Sequence, residues 1–259
     1  MKKILCDKKF NIFYSLFAVV LMWVVWLIVA AAVKNDFLVA PVGKSLKEFF
    51  TLFAKAFFWR ALGHTLLRTL VAFLLSFVLA LICACVAFVF KPFAAFMRPV
   101  VAFFRSLPTM AVLLAILIWL TPRTAPVLVA MLVLFPMIYS QLSDNIAGVD
   151  DELLQMARVY GLNAWRRVLH VYLPHVAPAA MVQTGGNLSF GLKLIISAEV
   201  MSSTYTAIGG MMGEAQAYIN LPRLAALTLV AVVFGICIEL AFNALSRVLF
   251  KWYWTVSDD

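Results

Sequence analysis

Long apolar runs alternate with short charged breaks along most of the chain. Six runs have the continuity of membrane-crossing helices: about Ile12–Val33, Leu66–Phe90, Val100–Leu120, Ala125–Ser140, Val176–Met201 and Leu224–Phe250. Each approaches or exceeds the roughly 20 residues needed to cross hydrocarbon, except the fourth, which is short. Within lipid a backbone must satisfy its own hydrogen bonds, so the runs are read as helices. The expected fold is all-α, a polytopic membrane protein with about six transmembrane helices.

Two segments between the runs have their own pattern. Over Gly43–Phe58, Leu46, Phe49, Phe50, Phe53 and Phe57 recur at helical spacing while Lys44, Lys47 and Lys55 fall largely elsewhere, which predicts a helix lying in the interface plane. Gln141–His175 is the one long polar stretch. Asp150 and Asp151 sit where a helix start favours acids, and Arg158, Arg166 and Arg167 follow. It predicts two short helices broken at Gly161, the second ended by Pro174. Three parts result: 1–63, an N-terminal transmembrane helix plus the interfacial helix; 64–252, a core with the polar loop at about 144–175; and 253–259, a C-terminal tail.

Composition agrees with a lipid solvent. Of 259 residues 65% are hydrophobic and 13% charged, against about 25% charged in ordinary soluble domains. The net charge of +9 is scattered at the ends of apolar runs, where it sets topology and meets headgroups; nucleic-acid binding, which needs a clustered basic face, is excluded. Positive charge places the N- and C-termini on the cytoplasmic side of the inner (plasma) membrane, although the basic stretch Lys34–Gly63 weakens the bias. The first run is longer than a signal-peptide core and reads as a retained helix. Cys6, Cys83, Cys85 and Cys237 have no metal-ligand spacing, and no metal site is expected.

Candidate chemistry is sparse. Gly43-Lys44-Ser45 ends like a phosphate-binding loop, but the glycine needed five residues earlier is Leu38. Ser189, in Asn187-Leu188-Ser189-Phe190-Gly191, lacks the first glycine of a nucleophile elbow. Lys193, Glu199, Glu239 and Arg105 lie in or near apolar runs, where a charge is costly and therefore a functional candidate. Lys193 either faces a path and attracts an anion, or is paired or snorkelled; Glu239 reads as structural. Lys193, Glu199, Ser189 and Arg105 are the candidate path residues. Thr184, Gly185, Gly186 and Gly191 allow close helix approach, between two copies or within one chain.

The polar loop carries a resemblance. Gln155-Met156-Ala157-Arg158-Val159-Tyr160-Gly161, nine residues, then Val171-Tyr172-Leu173-Pro174, resembles the EAA loop of ABC importer permeases in spacing throughout. Ala157, Gly161, Leu173 and Pro174 match in identity, while Gln155, Met156 and Val171 are substitutions. "LGHTLLRTL" over Leu62–Leu70 resembles the family's entry to its transport core and "FRSLP" over Phe104–Pro108 the segment leading into its next helix, while "VDDELLQMARVYGLNAWRRVLHVYLPHVAPAAM" over Val149–Met181 and "ISAEVM" ending at Met201 resemble the nitrate/sulfonate/taurine-type branch. Trp119-Leu120-Thr121-Pro122 departs from the family's Trp-Phe-Gly.

The resemblance implies a type I importer permease with no catalysis and no cofactor of its own, ATP and Mg belonging to a partner ATPase. It implies that Gln155, Met156, Ala157, Arg158, Tyr160, Gly161 and Leu162, with Leu173 and Pro174, form the ATPase-coupling loop. It also implies a second copy of the chain, cytoplasmic ATP-binding subunits and an extracytoplasmic solute-binding protein. The solute is expected to be small, and sulfonate, nitrate or vitamin-precursor-like. A stand-alone secondary transporter or channel is the alternative, an intramembrane hydrolase a more distant one.

Overall fold

The computed structural model describes residues 2–33 and 38–251. Lys34 and the expected tail 253–259 lie outside the described residues, as does the side chain of Cys6. The described residues are almost wholly helical: α1 Lys2–Val33, α2 Val42–Phe53, α3 Ala56–Val89, α4 Lys91–Ser106, α5 Thr109–Leu117, α6 Ala125–Ala147, α7 Asp151–Val159, α8 Ala164–Arg167, a π-helical turn Val168–Tyr172, α9 Leu173–Met201, α10 Ile208–Ala217 and α11 Leu221–Leu249. They group into two compact units, Met1–Ala56 with Met212–Val230, and Phe57–Met211 with Ala231–Asp259.

In the smaller unit, α2 forms in the segment expected to lie in the interface plane, but it ends at Phe53 rather than Phe58, and the chain turns at Ala54-Lys55 before α3. Trp26 of α1 donates its indole N–H to the Ala40 carbonyl at 3.2 Å. Arg223 pairs with Glu214 at 3.3 Å.

In the larger unit, α3 shows how a membrane helix packs. Ala61, Thr65, Thr69, Ala72, Ser76, Ala80, Ala84 and Ala87 form a buried stripe of small residues, while Leu67, Leu70, Leu74, Leu75, Val78 and Ile82 point outward. Lipid tails are as apolar as leucine, so close backbone approach rather than burial of large side chains drives the packing. Phe73, Ala80 and Ala84 of α3 meet Met97 and Val101 of α4, Leu134, Ile138 and Leu142 of α6, and Leu188 of α9 in one core. A second cluster joins Leu113 and Ile116 of α5 to Val129 of α6 and Ala198 of α9.

The expectation of six spans is corrected. Among the described residues three helices are long and apolar enough to cross a membrane, α3, α6 and α11, and the bent pair α4–α5 makes a fourth at most. In α1, Val20–Val33 is a shorter apolar stretch, and most side chains of the first run ahead of it lie outside the described residues. Helix α9 has 29 residues, but Gln183, Asn187, Lys193 and Glu199 interrupt its apolar character. The third run is two helices bent by 85°, because Leu107 precedes Pro108 and takes the extended conformation (φ −69°, ψ 129°) that a following proline favours. Pro99, expected ahead of that span, lies inside α4. The short fourth run is part of α6, a helix of 23 residues.

Pro174 does not end the second loop helix. α8, the π turn and α9 run on without interruption. Proline has no N–H to give the carbonyl four residues back and its ring crowds that carbonyl. The widened turn absorbs this: the Leu173 N–H bonds the Val168 carbonyl, five residues earlier.

Candidate functional site

The polar loop is built from two capped helices and a glycine turn. The Asp150 carboxylate accepts the Glu152 N–H at 2.9 Å and opens α7, with Asp151 and Glu152 in the first turn and Arg158 in the last, the polarity that the helix dipole favours. The helix closes with a Schellman motif: Gly161 N–H bonds the Arg158 carbonyl at 3.0 Å and Leu162 N–H the Ala157 carbonyl at 3.0 Å. Gly161 has φ +66°, and nothing lies within 4 Å of where its Cβ would be. Glycine is therefore required there by backbone conformation and not by space. Asn163 then caps α8, its side-chain oxygen accepting Arg166 N–H at 2.8 Å.

Met156, Ala157, Tyr160, Leu162 and Pro174 come together around an apolar cleft of about 590 Å³, with His170 and His175 on its rim. Ala157 is buried beneath it, whereas Met156 and Tyr160 are exposed. Gln155 and Arg158 lie on exposed faces of α7, and Leu173 is exposed on α9, outside the cleft lining.

The four path candidates do not form one site. Glu199 is fully buried and bonded by Arg68 (2.7 Å), the Thr65 hydroxyl (2.9 Å) and Gly209 N–H (3.2 Å). Thr65 also accepts Ile208 N–H at 3.0 Å, so this carboxylate ties α3 and α9 to the start of α10. Ser189 is buried on α9 against Gly235 of α11, where an added Cβ would come within 2.9 Å of its hydroxyl. Lys193 is exposed on α9, on the stripe of Phe190, Ser197 and Met201, and forms no ion pair among the described residues. Arg105 lines a separate groove with Lys91 and Arg98 of α4.

Sequence reasoning missed Arg68 and Thr65 as partners of Glu199. The signal was present, since a threonine and an arginine three apart share one face of an apolar helix. It also missed a polar seam between α6 and α9. Gln141 and Asn187 exchange two amide hydrogen bonds (3.2 and 2.7 Å), and Asn145 and Gln183 do the same (2.8 and 3.3 Å). Gly43-Lys44-Ser45, the phosphate-loop lookalike, opens α2 as ordinary helix. Among the described residues no group of His, Cys, Asp and Glu could hold a metal.

The described residues thus form an apolar helical bundle with an internal polar seam, a buried ion pair and a capped two-helix loop. Solved structures share that fold. An amino acid ABC transporter superposes with TM-score 0.62 at 17% identity, covering 80% of this chain and 96% of its own. The MetNI methionine ABC transporter, in inward-facing form, superposes with TM-score 0.59 at 19% identity over 73% of this chain and 94% of that one. A bacterial alginate ABC transporter in complex with its alginate-bound periplasmic protein superposes at 0.58, with 18% identity, over 94% and 98%.

The family model for the binding-protein-dependent transport system inner membrane component matches residues 76–253, and the chain belongs to that family. Among curated relatives, the putative aliphatic sulfonates transport permease protein SsuC of Escherichia coli (strain K12) is 27% identical over 57% of this chain and 56% of its own length. SsuC of Bacillus subtilis (strain 168) is 26% identical over 73% and 70%. The riboflavin transport system permease protein RibX of Chloroflexus aurantiacus is 24% identical over 60% and 58%. The chain thus spans little more than half the length of the first of these relatives.

Proposed function

We propose that this chain is the permease subunit of an ATP-driven importer, and that α7, the Gly161 turn and α8 form its coupling element to a cytoplasmic ATP-binding subunit. The observation that carries this reading is the capped α7 with exposed Met156 and Tyr160 over an apolar cleft. Exposed apolar side chains beside a cleft on a charged loop are what a protein partner covers. The continuity of α8 with α9 supports the rest, because a push on the loop moves a membrane helix with it.

Two copies of the chain enclose the path in this proposal, and an extracytoplasmic binding protein delivers the solute. ATP and Mg stay on the partner, and both chain termini face the cytoplasm of a cell whose inner membrane holds the complex. The sulfonate relatives and the unpaired, exposed Lys193 favour a small anion as solute.

The test is co-purification. The tagged chain is co-expressed with a candidate ATP-binding subunit and extracted in mild detergent, as wild type and as Gly161→Pro. Retention by wild type, and loss by a variant that keeps its helical circular dichroism, is expected. Equal retention by both removes the loop from coupling. Gradient-driven flux without any ATPase establishes a stand-alone transporter instead.

A further inference from the structure

Helix α4 carries Lys91, Arg98 and Arg105, one cation every seven residues. Two turns of α-helix take about 7.2 residues, so the three share one face. All three line a groove of about 710 Å³ bounded by α3, α4, α6 and α7. The opposite lining includes Asp144 and Asp151, yet none of the three cations forms an ion pair among the described residues. Three cations against two carboxylates leave the lining with one net positive charge. The Ser143 hydroxyl, also in the lining, is buried without a hydrogen-bond partner.

The stripe runs the length of α4, from Lys91 at its first residue to Arg105 just before its last. Lys91 and Arg105 are fourteen residues apart, roughly 21 Å at 1.5 Å per residue. Arg98 adjoins Met97 and Val101, both buried in the main core, and is itself exposed, as are Lys91 and Arg105. A guanidinium carried that far along a bundle of apolar helices needs water or a counter-anion. Arginine presents a planar fork that suits oxyanions with two or three equivalent oxygens.

We propose that this groove is a binding site for a compact oxyanion group of the sulfonate or phosphate type, held by Arg98 and Arg105. Lys91 adds a third positive charge to the lining, and Asp144 and Asp151 limit the affinity so that the anion leaves again. As a station for a transported anion the site rests on the permease reading; as a binding site it does not. A free solute and the phosphate of an anionic lipid present the same chemistry.

The experiment uses the full chain in phosphatidylcholine nanodiscs, titrated calorimetrically with ethanesulfonate and, separately, inorganic phosphate. Saturable binding is expected for one or both, weakened at least tenfold in Arg98→Gln and Arg105→Gln. It is expected to be unchanged in Lys55→Gln, an exposed lysine outside the groove. Asp144→Asn is expected to tighten binding severalfold, a gain that misfolding does not produce. In parallel, native mass spectrometry after reconstitution with phosphatidylglycerol asks whether lipid stays bound to wild type and is lost from the Arg98→Gln/Arg105→Gln double variant. Retained lipid that blocks ethanesulfonate assigns the site to a headgroup; anion binding without lipid retention assigns it to a solute. Absence of both in folded protein, or binding indifferent to the two arginines, overturns the proposal. If it fails while the ATP-binding subunit still co-purifies, the permease reading stands without it.

Discussion

Arg68 Nη1 lies 2.7 Å from Glu199 Oε1, although 131 residues separate the two in sequence. The carboxylate is wholly buried, and its other oxygen accepts from Thr65 and from the Gly209 backbone. Removing one partner of a buried pair strands the other charge, which typically costs about 3–5 kcal/mol. Arg68→Ala and Glu199→Ala are each expected to lose stability on that scale, measured by denaturant unfolding in detergent. Arg68→Met with Glu199→Met is expected to cost less than either single change. Single-variant losses under about 1 kcal/mol would mean that the pair is not the clasp described.

Gly209 lies where α10 meets this pair. A Cβ there would run into the Glu199 Cβ and approach Val200 N to 2.8 Å. Gly209→Ala is expected to destabilise by about 1–3 kcal/mol, the usual range for overpacking. Glu199→Gln, which keeps the side-chain shape, gives no relief of that clash. The two variants can be compared by thermal unfolding monitored by circular dichroism.

At Gly161 the constraint is backbone alone. Left-handed geometry costs a β-branched residue roughly 1–2 kcal/mol and asparagine less. Gly161→Val is expected to loosen the α7 terminus, read as faster hydrogen exchange at Leu162 N–H, while Gly161→Asn stays near wild type.

Ile219 presents the inverse situation. It has φ 53°, and its turn makes the same bond pattern as the Gly161 turn, with Ile219 N–H to the Gln216 carbonyl and Asn220 N–H to the Ala215 carbonyl. A β-branched side chain is held where glycine fits better. Ile219→Gly is expected to raise stability by roughly 1 kcal/mol in the same unfolding assay. A decrease would show that the exposed isoleucine side chain makes up for its strain.

The seam between α6 and α9 is open to a double-mutant cycle. Coupling between polar partners in membrane helices averages about 0.6 kcal/mol, with values up to about 1.7. Gln141→Ala and Asn187→Ala are expected to couple within that range, and Gln141→Ala with Gln183→Ala less strongly, since those two do not exchange amide bonds.

Helix content and the glycine turn were readable because they are local. Apolar continuity gives α3 and α11, and acids before a glycine give the ends of α7. The count of spans failed where composition and crossing part company. Helix α9 pairs Gln183, Asn187 and Glu199 inside the bundle, so its polar content hides its length, while Leu107-Pro108 splits a run that hydropathy alone joins. The partner of Glu199 was hidden because an apolar run records which charges it carries and not which helix each one faces. Met156, Ala157, Tyr160 and Leu162 are singled out by the loop's resemblance alone, and neither their grouping around one cleft nor the approach of His170 and Pro174 to it was readable from the sequence.

The π turn at Val168–Tyr172 amounts to one surplus residue wound into a rod. Each residue of an α-helix advances the direction of its side chains by about 100°. The wider winding of the π turn takes up that one extra step, so deleting a single residue within 168–172 returns the turn to α-helix with Trp165 and everything before it facing as before against α9, but Pro174 then loses the widened turn that accommodates it. A chain shortened at this turn thus keeps the direction of every loop side chain and loses instead the room that the proline ring needs.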